Sequence, residues 1–346
     1  MDAGVGVFIF SSALTSRFAR GNPIQRSDDT GKPSTSSVHR LMSFLGIPPR
    51  RLIVLALGFG RLVMVKLLNY QEHVSEYGVH WNFFMTLFSV WVAADLVHQF
   101  LRDWSVVPLS LLLLSSYQSW LSAGGLTEFL LGDDRTGFLA ANKEGVYSLL
   151  GYLPLYLLAE QFSRQIIFRP SAEGNKERRA TSPPGSPASF PPGTTKIARD
   201  SWALSHGLLL TACCCWGSWA LLSRVVQPTS RRLCNSSYVA LVLALCASLL
   251  LCVLWVEELG CLVGSSHGCS LRSLHLMNRH SLFVFLAANL LTGAVNMSIA
   301  TIHSSVAVSL AVMMGYSLLV TLSAWVMDAL MSRGDDASSP STPPAH

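Results

Sequence analysis

The chain has 346 residues, of which 50% are hydrophobic and only 13% charged, and its mean hydropathy is +0.41. This balance excludes an ordinary soluble globule and describes a polytopic membrane protein. The net charge of +5 is small and sits mostly in loops, with no basic stripe interleaved with aromatics, so it reads as a topology signal and sets nucleic-acid binding aside.

A helix needs about 20 mostly apolar residues to cross a bilayer. Residues 1–16 hold a shorter apolar run, Ala3 to Leu14, which reads as a short or re-entrant helix or the end of a span. Residues 17–51 carry Ser, Asp, Pro and basic residues and read as a cytosolic linker. Within 52–168, apolar segments fall at 52–69, 81–101, 105–123 and 145–168. Residues 169–200, rich in Pro, Ser and charge, read as a disordered cytosolic linker, because they cannot bury enough apolar area to offset chain entropy. Within 201–333 four more segments follow, at 201–226, 237–256, 281–301 and 305–330, and 334–346 reads as a disordered tail. The fold class is all-α, a polytopic transmembrane helix bundle of about eight to nine spans.

Charge sets the orientation. With loop 17–51 placed in the cytosol, 17 Lys and Arg fall in the cytosolic loops and tail, and only Arg135, Lys143, Arg231 and Arg232 fall opposite. This is the positive-inside skew. The non-cytosolic loops are then 70–80, 124–144, 227–236 and the turn near 302–304.

The first two of these loops are rich in titratable groups. Glu76, His80 and Asn82 lie at a membrane boundary. A carboxylate near an imidazole can raise its basicity and suit it to general-base work. The competing reading is an interfacial belt, since Tyr77, Trp81 and Phe83 are typical of that depth. In the second loop, Asp133 or Asp134 suits a sugar hydroxyl or the role of base, and Arg135 or Lys143 suits phosphate, with Asn142 and Glu144 beside them. A solvated turn with an acidic-basic pair explains the same residues without chemistry.

Charges inside the spans need partners. Arg61 lies near the middle of segment 52–69, where an unpaired charge is costly, and Asp95 is a candidate partner for it, as is a phosphate. His98 lies about one turn from Asp95. In the stretch from Met277 to Met297, Asn289, Thr292 and Asn296 interrupt an apolar run, and Asn278, Arg279 and His280 crowd its entrance. Such groups usually face a protein interior or a water-filled cavity.

Other signatures are missing. There is no P-loop, GxGxxG or HExxH motif, and no GxSxG motif surrounds Ser304 or Ser305, so His303 with these serines is a poor case for a nucleophilic triad. Eight cysteines show no CxxC spacing, which argues against zinc, and a Cys261–Cys269 disulfide does not suit a cytosolic loop. The start lacks a basic region ahead of its apolar run, as a signal peptide would have, and Asp2 excludes N-myristoylation. Asn235-Ser236-Ser237 is a glycosylation sequon on the non-cytosolic side, close against a span.

Four stretches, in order along the chain, resemble one family. They are Met1-Asp2-Ala3-Gly4-Val5-Gly6, Tyr70 through Phe84, Asn142-Lys143-Glu144-Gly145 with Ser148-Leu149-Leu150-Gly151-Tyr152, and Asn278 through Gly293. Together they are similar to the inositol acyltransferases of glycosylphosphatidylinositol (GPI) anchor biosynthesis, called phosphatidylinositol-glycan class W or GPI-anchored wall transfer proteins.

The resemblance implies transfer of a fatty acyl chain from acyl-CoA, as co-substrate and with no other cofactor, to the inositol of glucosaminyl-phosphatidylinositol in the endoplasmic reticulum membrane. It implies three tasks: a hydroxyl losing its proton, a stabilised oxyanion, and a phospholipid head group held at the bilayer surface. His80, Asp133 and Asp134 are then the catalytic candidates. Asp2, Arg61, Glu76, Asn82, Arg135, Asn142, Lys143, Asn278, Arg279, Asn289 and Asn296 are the substrate-binding candidates, with 277–297 as a wall of the lipid or acyl-CoA path. Family members carry further spans ahead of the Met-Asp motif, so the resemblance implies an N-terminally shortened form. A membrane-bound O-acyltransferase of another family and a transporter with Asp95, Arg61 and Asn289 along a midplane path remain the alternatives.

Overall fold

The computed structural model describes residues 3–20, 49–67, 74–101, 105–168, 194–262, 272–298 and 304–338. Every regular element among them is helical. In chain order these are α1 (Gly4–Leu14), α2 (Pro49–Leu67), α3 (Val74–Tyr77), α4 (Phe83–Phe100), α5 (Val106–Ala123), α6 (Leu126–Leu131), α7 (Gly137–Ala141), α8 (Lys143–Phe162), α9 (Thr194–Val225), α10 (Ser236–Leu262), α11 (Arg272–Arg279), α12 (Ser281–Ser298) and α13 (Val306–Ser338). A π-helical turn, Ser163–Phe168, follows α8 directly.

All eight expected apolar segments are helical, but not all qualify as spans. Five helices are long and apolar enough to cross a membrane, within α4, α5, α9, α10 and α13. A sixth qualifies if α11 and α12, which meet at 99°, form one broken span. The chain is thus read as a multi-pass membrane protein; these five or six spans are counted among the described residues, where the eight to nine expected from the sequence are not all recovered. The reason lies in composition. Helix α8 carries Lys143, Glu144, Pro154 and Glu160, and α2 carries Arg50, Arg51, Arg61 and Lys66. Helix α1, at 11 residues, is short, as expected. Helix α9 begins at Thr194, ahead of the expected 201, and α13 runs on to Ser338, past the expected 333. The rest of the linkers 17–51 and 169–200, and residues 339–346, lie outside the described residues, as do Asp2, Cys269 and His303.

The chain divides into two units, Met1–Val253 and Leu254–His346. In the first, α8 is the hub, packing against α1, α3, α4, α5 and α7. Leu155, Leu157 and Ala159 have no exposure, and Tyr152 and Tyr156 are buried as well. A helix buried around most of its circumference is what a central position in a bundle produces. Two helix starts in this unit are closed by asparagine side chains. Asn82 Oδ1 accepts from the Met85 amide (3.2 Å) to cap α4, and its Nδ2 donates to the Gly58 carbonyl of α2 (2.8 Å). Asn235 caps α10 by accepting from the Tyr238 amide (3.1 Å), and its Nδ2 donates to the Pro228 carbonyl (2.8 Å). Asn235 is fully buried, so this sequon is closed to glycosylation in the folded chain.

In the second unit, α13 packs against α11 and α12 around Leu276, Val284, Val320 and Ala324. The Asp328 carboxylate meets Arg279 (3.2 Å) and His280 (3.3 Å).

Gly151 tests the packing of the hub. A Cβ there would fall on the carbonyl oxygen of Cys234, which is itself held at φ +47° with a fully buried side chain. Because backbone cannot yield as a side chain can, Gly151→Val is expected to cost at least the roughly 1–3 kcal/mol typical of overpacking. The check is thermal unfolding in detergent followed by size exclusion. A variant as stable as the parent would contradict this packing.

Candidate functional site

The residues singled out at 76–82 and 133–144 converge at the N-terminal end of α8. Asn142 is fully buried. Its Oδ1 accepts from the His80 backbone amide (2.7 Å) and its Nδ2 donates to the Phe138 carbonyl (2.9 Å). One bond along, the Val79 amide donates to the Ala141 carbonyl (2.9 Å). The close approach requires glycine at 78, where φ is +111° and a Cβ would strike the Asn142 backbone. The two motifs quoted separately from the sequence are therefore one docked unit.

Lys143 is also fully buried, and its ammonium donates to three carbonyls, Phe129 (2.7 Å), Gly132 (2.7 Å) and Asp134 (3.0 Å). It lies over the Phe129 ring at 5.0 Å. An ammonium has three protons, and all three are engaged in closing the end of α6 and the turn after it. Phosphate binding, expected from the sequence, would require breaking these bonds.

Glu144 carries the ionic core of the site. Its side chain has no exposure and accepts from Arg135 through both oxygens (2.8 and 3.1 Å) and from Arg232 (2.9 Å). Arg232 also donates to the Leu130 carbonyl (3.0 Å). Burial opposes the charge on Glu144, but the guanidinium hydrogen bonds outweigh it and hold the carboxyl below its ordinary value. Next to it, Arg231 pairs with Glu76 (3.1 Å) and lies over the Tyr77 ring at 5.9 Å. Burial pushes the Tyr77 phenol up to about 12, so it stays protonated across the physiological range.

Upon this frame sit the exposed groups. The His80 side chain is exposed, and so are Asp133 and Asp134. Asp134 Oδ1 accepts from the Thr136 amide (3.0 Å) and hydroxyl (2.8 Å), and these bonds hold its carboxyl below the ordinary range. It is thus a persistent carboxylate, better suited to accept a hydroxyl hydrogen bond than to remove a proton. His80 and the Asp133–Asp134 turn are mounted on consecutive residues, Asn142 and Lys143. That juxtaposition was not visible from spacing alone. Nor was the part of Arg231 and Arg232, which the sequence marked only as loop charges.

Other expected residues lie elsewhere. Asn82 is a buried helix cap. Arg61 is exposed on α2 and does not pair with Asp95. Asp95 instead meets Arg51 and Arg17, both encoded in the stretch read as a linker, and the Arg17 contact is 3.2 Å. In the second unit, Asn278, Asn289 and Asn296 are exposed, Asn289 Nδ2 donates to the Phe285 carbonyl of its own helix (2.7 Å), and Arg279 pairs with Asp328. Among the described residues, no group of His, Cys, Asp and Glu has the arrangement of a metal site.

The GWT1 family model matches residues 1–327. The chain belongs to this family. A phosphatidylinositol-glycan biosynthesis class W protein of Dictyostelium discoideum is 31% identical over 80% of this chain and 49% of its own length. GPI-anchored wall transfer protein 1 of Cryptococcus neoformans var. neoformans is 36% identical over 94% of this chain and 55% of its own. The protein of the same name from Debaryomyces hansenii is 30% identical over 95% of this chain and 66% of its own. The chain thus spans about half to two-thirds of the length of these relatives.

Glu144→Gln leaves two arginines beside a neutral amide and is expected to cost about 3–5 kcal/mol, the range for breaking a buried pair. A depressed carboxyl contributes stability that is present above the unfolded value of about 4.3 and lost as pH falls through the lower folded value. Melting temperature in detergent against pH is the check: the parent loses stability on that acid limb, and Glu144→Gln lacks this component. Identical profiles would remove Glu144 from its role.

Proposed function

We propose that the chain acts in GPI-anchor biosynthesis as an O-acyltransferase, moving a fatty acyl group from acyl-CoA to the inositol of glucosaminyl-phosphatidylinositol in the endoplasmic reticulum membrane. The names of its relatives support the pathway. The observation that carries the chemistry is the mounting of His80 and Asp133–Asp134 on one rigid frame at the N-terminal end of α8, in loops that the charge skew assigns to the non-cytosolic side.

In this reading His80 is the general base. The imidazole takes the proton of an inositol hydroxyl, and the freed oxygen attacks the thioester carbonyl carbon. The tetrahedral oxyanion then collapses, the carbon–sulfur bond breaks, and CoA leaves as a thiol after accepting the proton from His80. Asp133 is the second candidate for the base, and Asp134 orients a hydroxyl through its persistent charge. Arg135 and Arg232 supply positive potential near the head-group phosphate while remaining fixed by Glu144. Preorganised donors of this kind stabilise charge without moving at the moment of reaction.

Complementation tests this. The chain is expressed in cells lacking the inositol acyltransferase, and acylated glucosaminyl-phosphatidylinositol is assayed. The expected result is restored product, either from the chain alone or after the additional N-terminal region of a longer relative is joined to it. Product from neither would overturn the proposal. In the active form, His80→Ala is expected to lower turnover by about 10²–10⁴-fold, the usual contribution of a general base. Unchanged turnover at normal expression would return His80 to an interfacial role.

A further inference from the structure

The far end of the hub holds a second polar cluster that the proposed chemistry does not use. Two carboxylates are buried there, Asp95 of α4 and Glu160 of α8. Each already has a partner. Asp95 accepts from both terminal nitrogens of Arg51, which also donates to the Trp91 carbonyl (3.2 Å) and lies over the Trp91 ring. Glu160 is engaged by His98 (Nε2 to Oε2, 2.6 Å).

Arg17 is surplus to these pairs. It comes within 3.2 Å of Asp95, yet its Nε and Nη2 make no hydrogen bond among the described residues. Its side chain is about one-third exposed, at 35%. An arginine with unmet donors is an unfinished arrangement, since each buried polar atom without a partner costs free energy. The surroundings add to its charge. Arg20 and Arg164 are exposed at the same end, where Ser163 Oγ donates to the Leu14 carbonyl (3.0 Å). Beside Arg17, the Phe18 ring stacks on His98 with centroids 3.7 Å apart, and the guanidinium lies 5.4 Å from the Phe18 centroid.

We propose that Arg17, with Arg51 fixed behind it, forms an anion site for a phosphate-bearing ligand at this end of the bundle. A partly exposed guanidinium in a cluster where arginines outnumber the carboxylates that pair with them suits phosphate in particular. The inference rests on the acyltransferase reading for its first source of phosphate, the nucleotide part of acyl-CoA, which reaches the cytosolic side where the charge skew puts these arginines. An anionic lipid head group offers the same chemistry and is the second source.

The test uses the full chain in nanodiscs, titrated with CoA and, separately, reconstituted with phosphatidylinositol at a graded mole fraction and read by native mass spectrometry. Arg17→Gln, Arg17→Lys and the parent are compared, with melting temperature confirming folding. If CoA is the source, Arg17→Gln weakens CoA binding about tenfold, Arg17→Lys recovers part of the loss, and the parent's affinity falls with salt. If the lipid is the source, the same pattern is seen in retained phosphatidylinositol while CoA binding is unaffected. Folded Arg17→Gln that matches the parent for both probes overturns the site. CoA binding that depends on Arg17, in a chain that yields no acylated product, would keep the site and overturn the enzyme reading.

Discussion

The first unit depends on the burial of α8. The buried faces of this helix have no water to satisfy polar groups, so each ionic residue on them must find partners inside the protein. Lys143 finds three carbonyls, Glu144 two guanidiniums and Glu160 an imidazole. Some of these partners lie in the loop just before α8, whereas Arg232 and His98 come from segments distant in sequence, and meeting the needs of α8 draws them together. The ionic residues therefore act as fasteners for these loops, beside the apolar packing of Leu126 and Leu130.

The two ends of α8 are built differently. At the N-terminal end, every cation with a described ionic partner is matched to a buried or half-exposed carboxylate, and the groups left facing outward are His80, Asp133 and Asp134. At the other end the carboxylates are matched before Arg17 is counted. In the proposed reading one end exchanges a proton with a hydroxyl, and the other holds an anion. An acyl transfer that joins a lipid head group to a nucleotide-bearing donor uses both properties, and separating them along one helix keeps the base from being neutralised by the arginines that bind phosphate.

Much of this was legible in the sequence. The apolar segments gave the helices, because length and hydrophobicity are read directly from composition. The motifs around His80 and Asn142 mark the candidate site region, and the structure brings them together. What was not legible was pairing. Arg61 was matched to Asp95 because both interrupt apolar runs, yet Asp95 is held by Arg51 and Arg17. Spacing within a helix predicts a shared face, whereas pairing between helices depends on packing that a single sequence does not carry. Lys143 shows the same limit. A lysine beside a glutamate in a loop reads as a phosphate ligand, but its burial against the carbonyls of Phe129, Gly132 and Asp134 makes it a clamp.

The central claim is that the two ends of α8 serve different ligands. Photocrosslinking addresses it most directly. A photoreactive residue is placed at position 80 or at position 17 of the full chain in membranes, with labelled glucosaminyl-phosphatidylinositol and labelled CoA supplied together. The account predicts that the CoA label is captured at 17, and that the glycolipid label is captured at 80 and not at 17. Capture of the glycolipid at 17, or no capture of CoA there, would contradict it.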